Sequence, residues 1–321
     1  MTRSRSAKGG GASIRPPLFI RGCWGLGDSI YSRPFIAAQA AHRDVYLETP
    51  WPELFIDLPL RFVRGARQLR TQMRNLARHQ GTQWFMPPPN AEMVAIGYGV
   101  IELARSNVAT VLEGKLPHIE STPPLWDLPD MGRCPFDTGG APLAIVRPVM
   151  RRIEWDNEAR NPYPEYVHEI AADLKQRGFA VVVICDIKHN YEWVDGGTLP
   201  PHNLALTRGE LSVRQLMACI RDATVVVGPV GWIVPASIAL NTRAFIVLGG
   251  NGGMNAPERL IDPRMSGARI GFAFPERFCL CTDMRHRCDK RIPDCLQQWR
   301  HWIRMVRLPV PRSSTASPTS G

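Results

Sequence analysis

Four groups of residues in this sequence have types and spacings that can do chemistry. The first is a loop, Gly228-Pro229-Val230-Gly231-Trp232, set between a β-branched run, Thr224–Val227, and a stretch of helical spacing, Val234–Leu240. A strand that feeds a helix through such a loop presents backbone N–H groups at a helix N-terminus, which suits phosphate oxygens. A plain tight turn would use the same glycines. Trp232 can wall a flat ring there or fill core. The second group is Gly25-Leu26-Gly27-Asp28 near the N-terminus, between an apolar run and another helical stretch. It is like a dinucleotide-type glycine loop but is not G-x-G-x-x-G. Asp28 or Ser29 suits the N-cap of the helix that follows.

The third group is basic. Arg147, Arg151, Arg152 and Arg160 fall at or just after the run Leu143–Arg147 and are candidates to hold phosphate, each being equally a surface arginine. Arg67, Arg70, Arg74 and Arg78 are spaced 3, 4 and 4 and share one helical face. No acidic residue falls between Leu58 and Ala91, so local neutralisation is not expected. The face reads either as solvated decoration or as a dock for a phosphorylated acceptor or an anionic surface. The fourth group is Cys279, Cys281, Cys288 and Cys295, spaced C-x-C-x6-C-x6-C with His286 inside. Structural zinc prefers C-x2-C pairs, and a disulfide is unusual in a reducing compartment. A structural metal such as zinc, a redox-dependent staple and free thiols all remain open. Cys23, Cys134, Cys185 and Cys219 read as packing thiols.

The elements that must position these groups alternate between strand and helix. Leu18–Arg21 reads as a strand, followed by a helix to about Ala41, a strand at Val45–Glu48 and a short helix at Trp51–Phe55. Met93–Gly97 is a further strand and Val100–Ser106 a short helix. Leu116–Gly140 is rich in proline and glycine without a period, as a connection between domains would be. Leu143–Arg147 then opens a second series. Pro164–Arg177 is an amphipathic helix ended by Gly178, Phe179–Cys185 a buried strand, Leu211–Arg221 a helix and Phe245–Leu248 a strand. Leu296–Val306 is an amphipathic helix expected to pack back toward the first half. Asp186 and Glu192, past a second-half strand, could hydrogen-bond a ribose.

This order implies an α/β chain with two doubly wound, Rossmann-like domains facing a cleft. The boundaries read as a basic tail at 1–17, a first domain at 18–138, a second at 139–308 and a polar tail at 309–321. The chain of 321 residues is 44% hydrophobic, enough for two cores, and no apolar run reaches the length of a membrane span. Met1–Pro17 lacks the apolar segment of a signal peptide, so a cytoplasmic location is expected. The net charge of +10 favours anionic partners: nucleotides, glycolipid, a membrane surface or nucleic acid.

The run GLGDSIYSRPFIAAQA after the first strand resembles the opening of glycosyltransferase family 9, the ADP-heptose:lipopolysaccharide heptosyltransferases. LSVRQLMACIRDATVVVG resembles that family's helix and strand before its G-N-D-S-G-P-M-H loop, and ARNPYPEYVHEIAADLKQRGFAVVVI its K-x-W-P-x-x-x-F segment. The segments keep the family's order across residues 18–305. The resemblance implies a B-type glycosyltransferase fold with the acceptor held by the first domain and the donor by the second. It implies Asp28 as the general base of inverting sugar transfer, with no metal in the reaction. The donor would be a nucleotide-diphosphate sugar, held by Gly25, Gly27, Arg147, Arg160 and the loop Gly228–Trp232. An anionic glycolipid such as the lipopolysaccharide core, reached at the inner membrane face, would be the acceptor at Arg67, Arg70, Arg74 and Arg78. The family loop's Asp and His positions are Val230 and Pro235 here, and Arg160 stands for a phosphate-binding Lys. Two other readings keep the fold: transfer onto a modified nucleic-acid base through the arginine patches, and a binding protein without chemistry.

Overall fold

The structure is a computed structural model, and it describes residues 15–65, 69–79, 81–119 and 125–308. Most of both tails and Arg67 lie outside the described residues.

The first sheet is entirely parallel, in the order β3-β2-β1-β4. Its strands are β1 (Leu18–Arg21), β2 (Val45–Glu48), β3 (Leu60–Val63) and β4 (Glu92–Ala95). Helices α1 (Leu26–Ala40), α2 (Arg70–Arg78), α3 (Val100–Arg105) and α4 (Val108–Gly114) accompany it. The Pro- and Gly-rich stretch that follows carries no regular element among its described residues until β5 (Leu143–Val146).

The second sheet is built from β5, β7 (Ala180–Ile184), β9 (Leu204–Leu206), β10 (Val225–Pro229), β11 (Ala244–Val247) and β12 (Ile270–Ala273). It is parallel throughout, in the order β12-β11-β10-β5-β7-β9. A small antiparallel pair joins β6 (Met150–Arg152) to β8 (Glu192–Val194). The helices are α5 (Pro164–Gln176), α6 (Val213–Asp222), α7 (Ile233–Ala239), the short α8 (Gly252–Asn255) and α9 (Pro257–Leu260), and α10 (Cys295–Met305).

The central strands read as unbroken apolar runs because both their faces are covered. Every residue of β5, β10 and β11 is buried. One apolar core runs continuously from the first sheet into the second, through Ile30 and Tyr31 of α1 and Ile233 and Val234 of α7. The Tyr31 hydroxyl donates to the Leu260 carbonyl at 2.8 Å, tying α1 to the end of α9.

A second core lies on the other face of the larger sheet, under α5 and α10. Here one expectation is corrected: α10 packs on its own half and not toward the first. Trp299 is fully buried, meets the Phe245 ring edge-on at 5.4 Å and donates through Nε1 to Asp173 Oδ2 of α5 at 2.8 Å. Asp173 also accepts from Arg177 at 2.6 Å and Arg300 at 2.8 Å. Burial acts to raise its pKa, but these three donors hold the carboxyl below the ordinary value.

Candidate active site

The carboxyl ends of the two sheets face each other across a cavity of about 840 Å³. Residues just past β1, β4, β5, β7, β9 and β10 line it, which is where ligands bind in doubly wound sheets. Gly25, Gly27, Asp28, Arg147, Arg160, Val230, Gly231 and Trp232 are all among them. Gly228 and Pro229 are not; they are the last, buried residues of β10.

Asp28 stands in the first turn of α1, whose N-cap is Gly25; neither Asp28 nor Ser29 caps the helix. The Ser29 hydroxyl instead donates to the carbonyls of Cys23 and Gly25. The Asp28 carboxylate folds back over Gly25, where any Cβ would collide with it. Its Oδ1 accepts from the Tyr98 hydroxyl at 2.6 Å. Burial raises the Asp28 pKa, and the Tyr98 hydrogen bond and the positive charge of Arg160 oppose that rise without cancelling it. The outcome is a carboxylate with an elevated proton affinity, the property a general base needs.

Arg147, Arg152 and Arg160 enter the cavity from the second half. Their clustering is costly. Arg147 is pushed down to about 10 by burial and by the charges of Arg160 and Arg152, and Arg160 to about 10 by burial and Arg152. Both stay protonated at neutral pH. The Arg160 Nε is buried without a hydrogen-bond partner. Among the described residues Arg147 reaches only the Val230 carbonyl, at 3.3 Å. An anion placed among the three would satisfy them. Arg151 turns away to Asp156 at 2.6 Å.

Glycine is required where the loops meet. A Cβ on Gly228 would stand 2.7 Å from the Arg147 carbonyl, and one on Gly231 would overlap the Arg147 guanidinium. Gly27 allows α1 to approach the other sheet's loop, since a Cβ there would lie 3.1 Å from Trp232 Cα.

Two arginines of α2 are paired with carboxylates from across the cleft, and a third with carbonyls. Arg70 bonds Asp186 at 3.1 Å and Glu192 at 2.6 Å, and Arg74 bonds Asp186 at 2.8 Å. Arg78 donates to the carbonyls of Leu211 and Gly209. The absence of acidic neighbours in sequence therefore did not mean absence in space. Asp186 and Glu192 are engaged by these arginines.

The cysteine group assembles with one substitution. Cys279, Cys281, His286 and Cys288 bring their ligand atoms within 4.8 Å of one another. The Cys281 and Cys288 sulfurs are 3.5 Å apart, and His286 Nδ1 is 3.5 Å from Cys279 Sγ and 3.3 Å from Cys288 Sγ. A tetrahedral ion with these ligands has edges of about 3.5–3.8 Å, so the donor set fits one. Cys295 is not part of it. It is buried at the start of α10, where burial pushes its thiol up to about 12, and His286 takes the fourth place. None of the four lines the cavity.

No protein-family model matches the sequence, and no curated protein does. Solved structures do match in fold. The iron-containing dodecameric glycosyltransferase TibC of enterotoxigenic E. coli aligns with a TM-score of 0.62 at 14% identity, over 92% of this chain and 77% of that one. TibC described as a heptosyltransferase in complex with ADP-D-beta-D-heptose aligns at 0.60 and 15%, over 92% and 79%. The E. coli heptosyltransferase WaaC with ADP-2-deoxy-2-fluoro heptose aligns at 0.50 and 11%, over 89% and 99%. The fold is that of the heptosyltransferases.

Within this heptosyltransferase-like fold, the two glycine loops anticipated from sequence come from different sheets and meet at one cleft, Gly27 against Trp232. Tyr98 escaped the sequence reading, because it lies past β4 in a segment with no motif. Among the described residues no helix is long and apolar enough to cross a membrane.

Proposed function

We propose that the protein is a glycosyltransferase that moves a sugar, heptose-like, from a nucleoside diphosphate donor onto an acceptor hydroxyl with inversion. The observation that carries this reading is the presence, within one cleft, of a proton-avid carboxylate and of Arg147, Arg152 and Arg160, none of which forms an ion pair among the described residues, although the charges of Arg160 and Arg152 act on Asp28 and Glu192. Asp28 takes the proton of the acceptor hydroxyl as its oxygen attacks the anomeric carbon. The bond from that carbon to the diphosphate breaks on the opposite face, and its electron pair leaves with the phosphate oxygen. Arg147, Arg152 and Arg160 offset the charge developing there, and Arg forks suit phosphate geometry. Backbone N–H groups of the loop after β10 add to the cradle in place of the side chains lost at Val230 and Pro235. The acceptor enters from the α2 side, where Arg74 and Arg78 line the cavity; an anionic acceptor would exchange for their present partners. The knuckle Cys279, Cys281, His286 and Cys288 holds a structural zinc or iron ion, both of which suit thiolate and imidazole ligands.

The test is a thermal-shift titration with ADP, UDP, GDP and CDP on the wild type and on Arg160→Ala. One diphosphate should stabilise selectively, by roughly 2.7 kcal/mol at 100 times its dissociation constant, and the shift should shrink in the variant. No shift with any of the four would overturn the reading.

A further inference from the structure

The metal knuckle lies outside the cavity, yet its backbone grips the segment that carries Arg160. Three strands of chain meet at this point. The Gly252 and Gly253 N–H groups donate to the carbonyls of Cys279 at 2.7 Å and Cys281 at 3.0 Å. Fully buried Asn251, in the left-handed region with φ 56°, donates through Nδ2 to the Cys281 and Asp283 carbonyls, each at 3.3 Å. Its Oδ1 accepts from Asn157 Nδ2 at 3.5 Å, and Asn157 Oδ1 in turn accepts from the Arg160 N–H at 3.0 Å. Ala159 is held from both sides: its N–H donates to the Met284 carbonyl at 3.1 Å, and its carbonyl accepts from Gly250 N–H at 2.7 Å. Contact is tight enough that a Cβ on Gly250 would overlap the Cys288 side chain.

The turn 157–160 thus hangs between the loop after β11 and the knuckle. Residues 279–288 contain no helix or strand. Within the loop the backbone makes only turn bonds, His286 N–H to the Asp283 carbonyl and Cys288 N–H to the His286 carbonyl, so ligation of one ion by its four side chains would join its two ends and fix its shape. We propose that the knuckle is the mount of the diphosphate clamp, so that metal occupancy sets the affinity of the cleft for a nucleoside diphosphate through Asn251, Asn157 and Arg160. This rests on the donor reading above. It adds that the ion acts on the nucleotide site through a backbone relay, without touching the nucleotide. Outer partners that orient metal ligands matter by about 10–100-fold in metal affinity or activity, and an effect of that order is expected of a relay that orients Arg160.

The experiment is calorimetric titration of ADP into the metal-loaded protein and into protein stripped by a chelator, with metal content measured. Stripped protein should bind ADP at least about tenfold more weakly, and in Arg160→Ala the ratio between the two forms should fall toward one. Equal affinity of the loaded and stripped forms overturns the proposal while leaving the donor reading intact. Failure of the loaded protein to bind any of the four nucleoside diphosphates overturns both. If stripping unfolds the chain, Asn251→Gly carries the test, because glycine keeps the left-handed backbone and removes only the amide. That variant should keep its metal, lose ADP affinity and show faster hydrogen exchange at the Ala159 and Gly250 amides. Full affinity and full protection at full metal content would refute the relay.

Discussion

Replacing Gly27 and Gly114 by alanine, one at a time, makes the same chemical change in two helices with opposite expected outcomes. At Gly27 the new methyl would lie 3.1 Å from Trp232 Cα, 3.4 Å from Pro235 Cγ and 3.5 Å from Trp232 N. Two of these neighbours are backbone, so relief requires α1 and the loop after β10 to separate by a few tenths of an ångström. Overpacking of this kind costs about 1–3 kcal/mol. The better helix propensity of alanine returns about 0.8–1 kcal/mol, leaving a net loss of roughly 0–2 kcal/mol. At Gly114, the last residue of α4, nothing lies within 4 Å of the added methyl and φ is not positive. That variant should gain up to about 1 kcal/mol, since the steric term is absent. Urea denaturation of both variants against the wild type reads the two signs directly. Nucleotide titration reads the second consequence, because Gly27 and Trp232 both line the cavity: Gly27→Ala should weaken diphosphate binding and Gly114→Ala should not. If Gly27→Ala matches Gly114→Ala in stability and nucleotide affinity, the close approach of the two loops is not what sets the cleft.

Asp28→Asn should lower sugar transfer by about 10²–10⁴-fold, the usual worth of a positioned base, and yet melt higher than the wild type at pH 7.5. Folding raises the Asp28 pKa, so the native state favours the protonated acid; that contribution is complete below the unfolded value and is lost as pH rises through the folded one. The melting advantage should therefore fade toward pH 4, and a variant less stable at every pH would refute the assignment. Asp173→Ala should cost about 3–5 kcal/mol in denaturant unfolding, because it strips a partner from Trp299, Arg177 and Arg300 at once. The Asp173 pKa is held down in the fold, so the stability it supplies is present above the unfolded value and disappears as pH falls through the folded one. Asp173→Ala and the wild type should converge in stability at low pH.

The alternation of strand and helix was legible because a buried parallel strand is a short apolar run and its helix has a 3.6-residue period. That sufficed for the central strands, such as the run Thr224–Val227, whose strand goes on through Gly228 and Pro229 where a loop was expected, and for α5 with its apolar stripe. It did not suffice for β3, β6, β8, β9 and β12. Apart from β9, which is only Leu-Ala-Leu, these short segments carry polar or aromatic residues, and they exist because a neighbouring edge offers hydrogen bonds, as Met150–Arg152 finds opposite Glu192–Val194. The glycine loops were visible as punctuation, but their meeting at one cleft is a tertiary fact. The same holds for His286. Spacing offered four cysteines, whereas the chain brings the imidazole in and makes Cys295 the first residue of α10, on the buried stripe it shares with Trp299 and Ile303. Sequence distance also misled the reading of α2, where the Arg70 and Arg74 side chains pair with carboxylates more than 100 residues away.

Those partners make the cleft mouth its own salt. Because Arg70 and Arg74 already hold Asp186 and Glu192, an anionic molecule arriving there finds an exchange reaction in place of a bare positive field. Ionic strength then acts on both sides of the exchange. Dilute buffer keeps the internal pairs shut, and concentrated buffer screens the newcomer as well, since the Debye length shrinks from about 10 Å at 0.1 M to about 3 Å at 1 M. Turnover with a charged acceptor should pass through a maximum at intermediate salt, whereas turnover with an uncharged one should rise and level off.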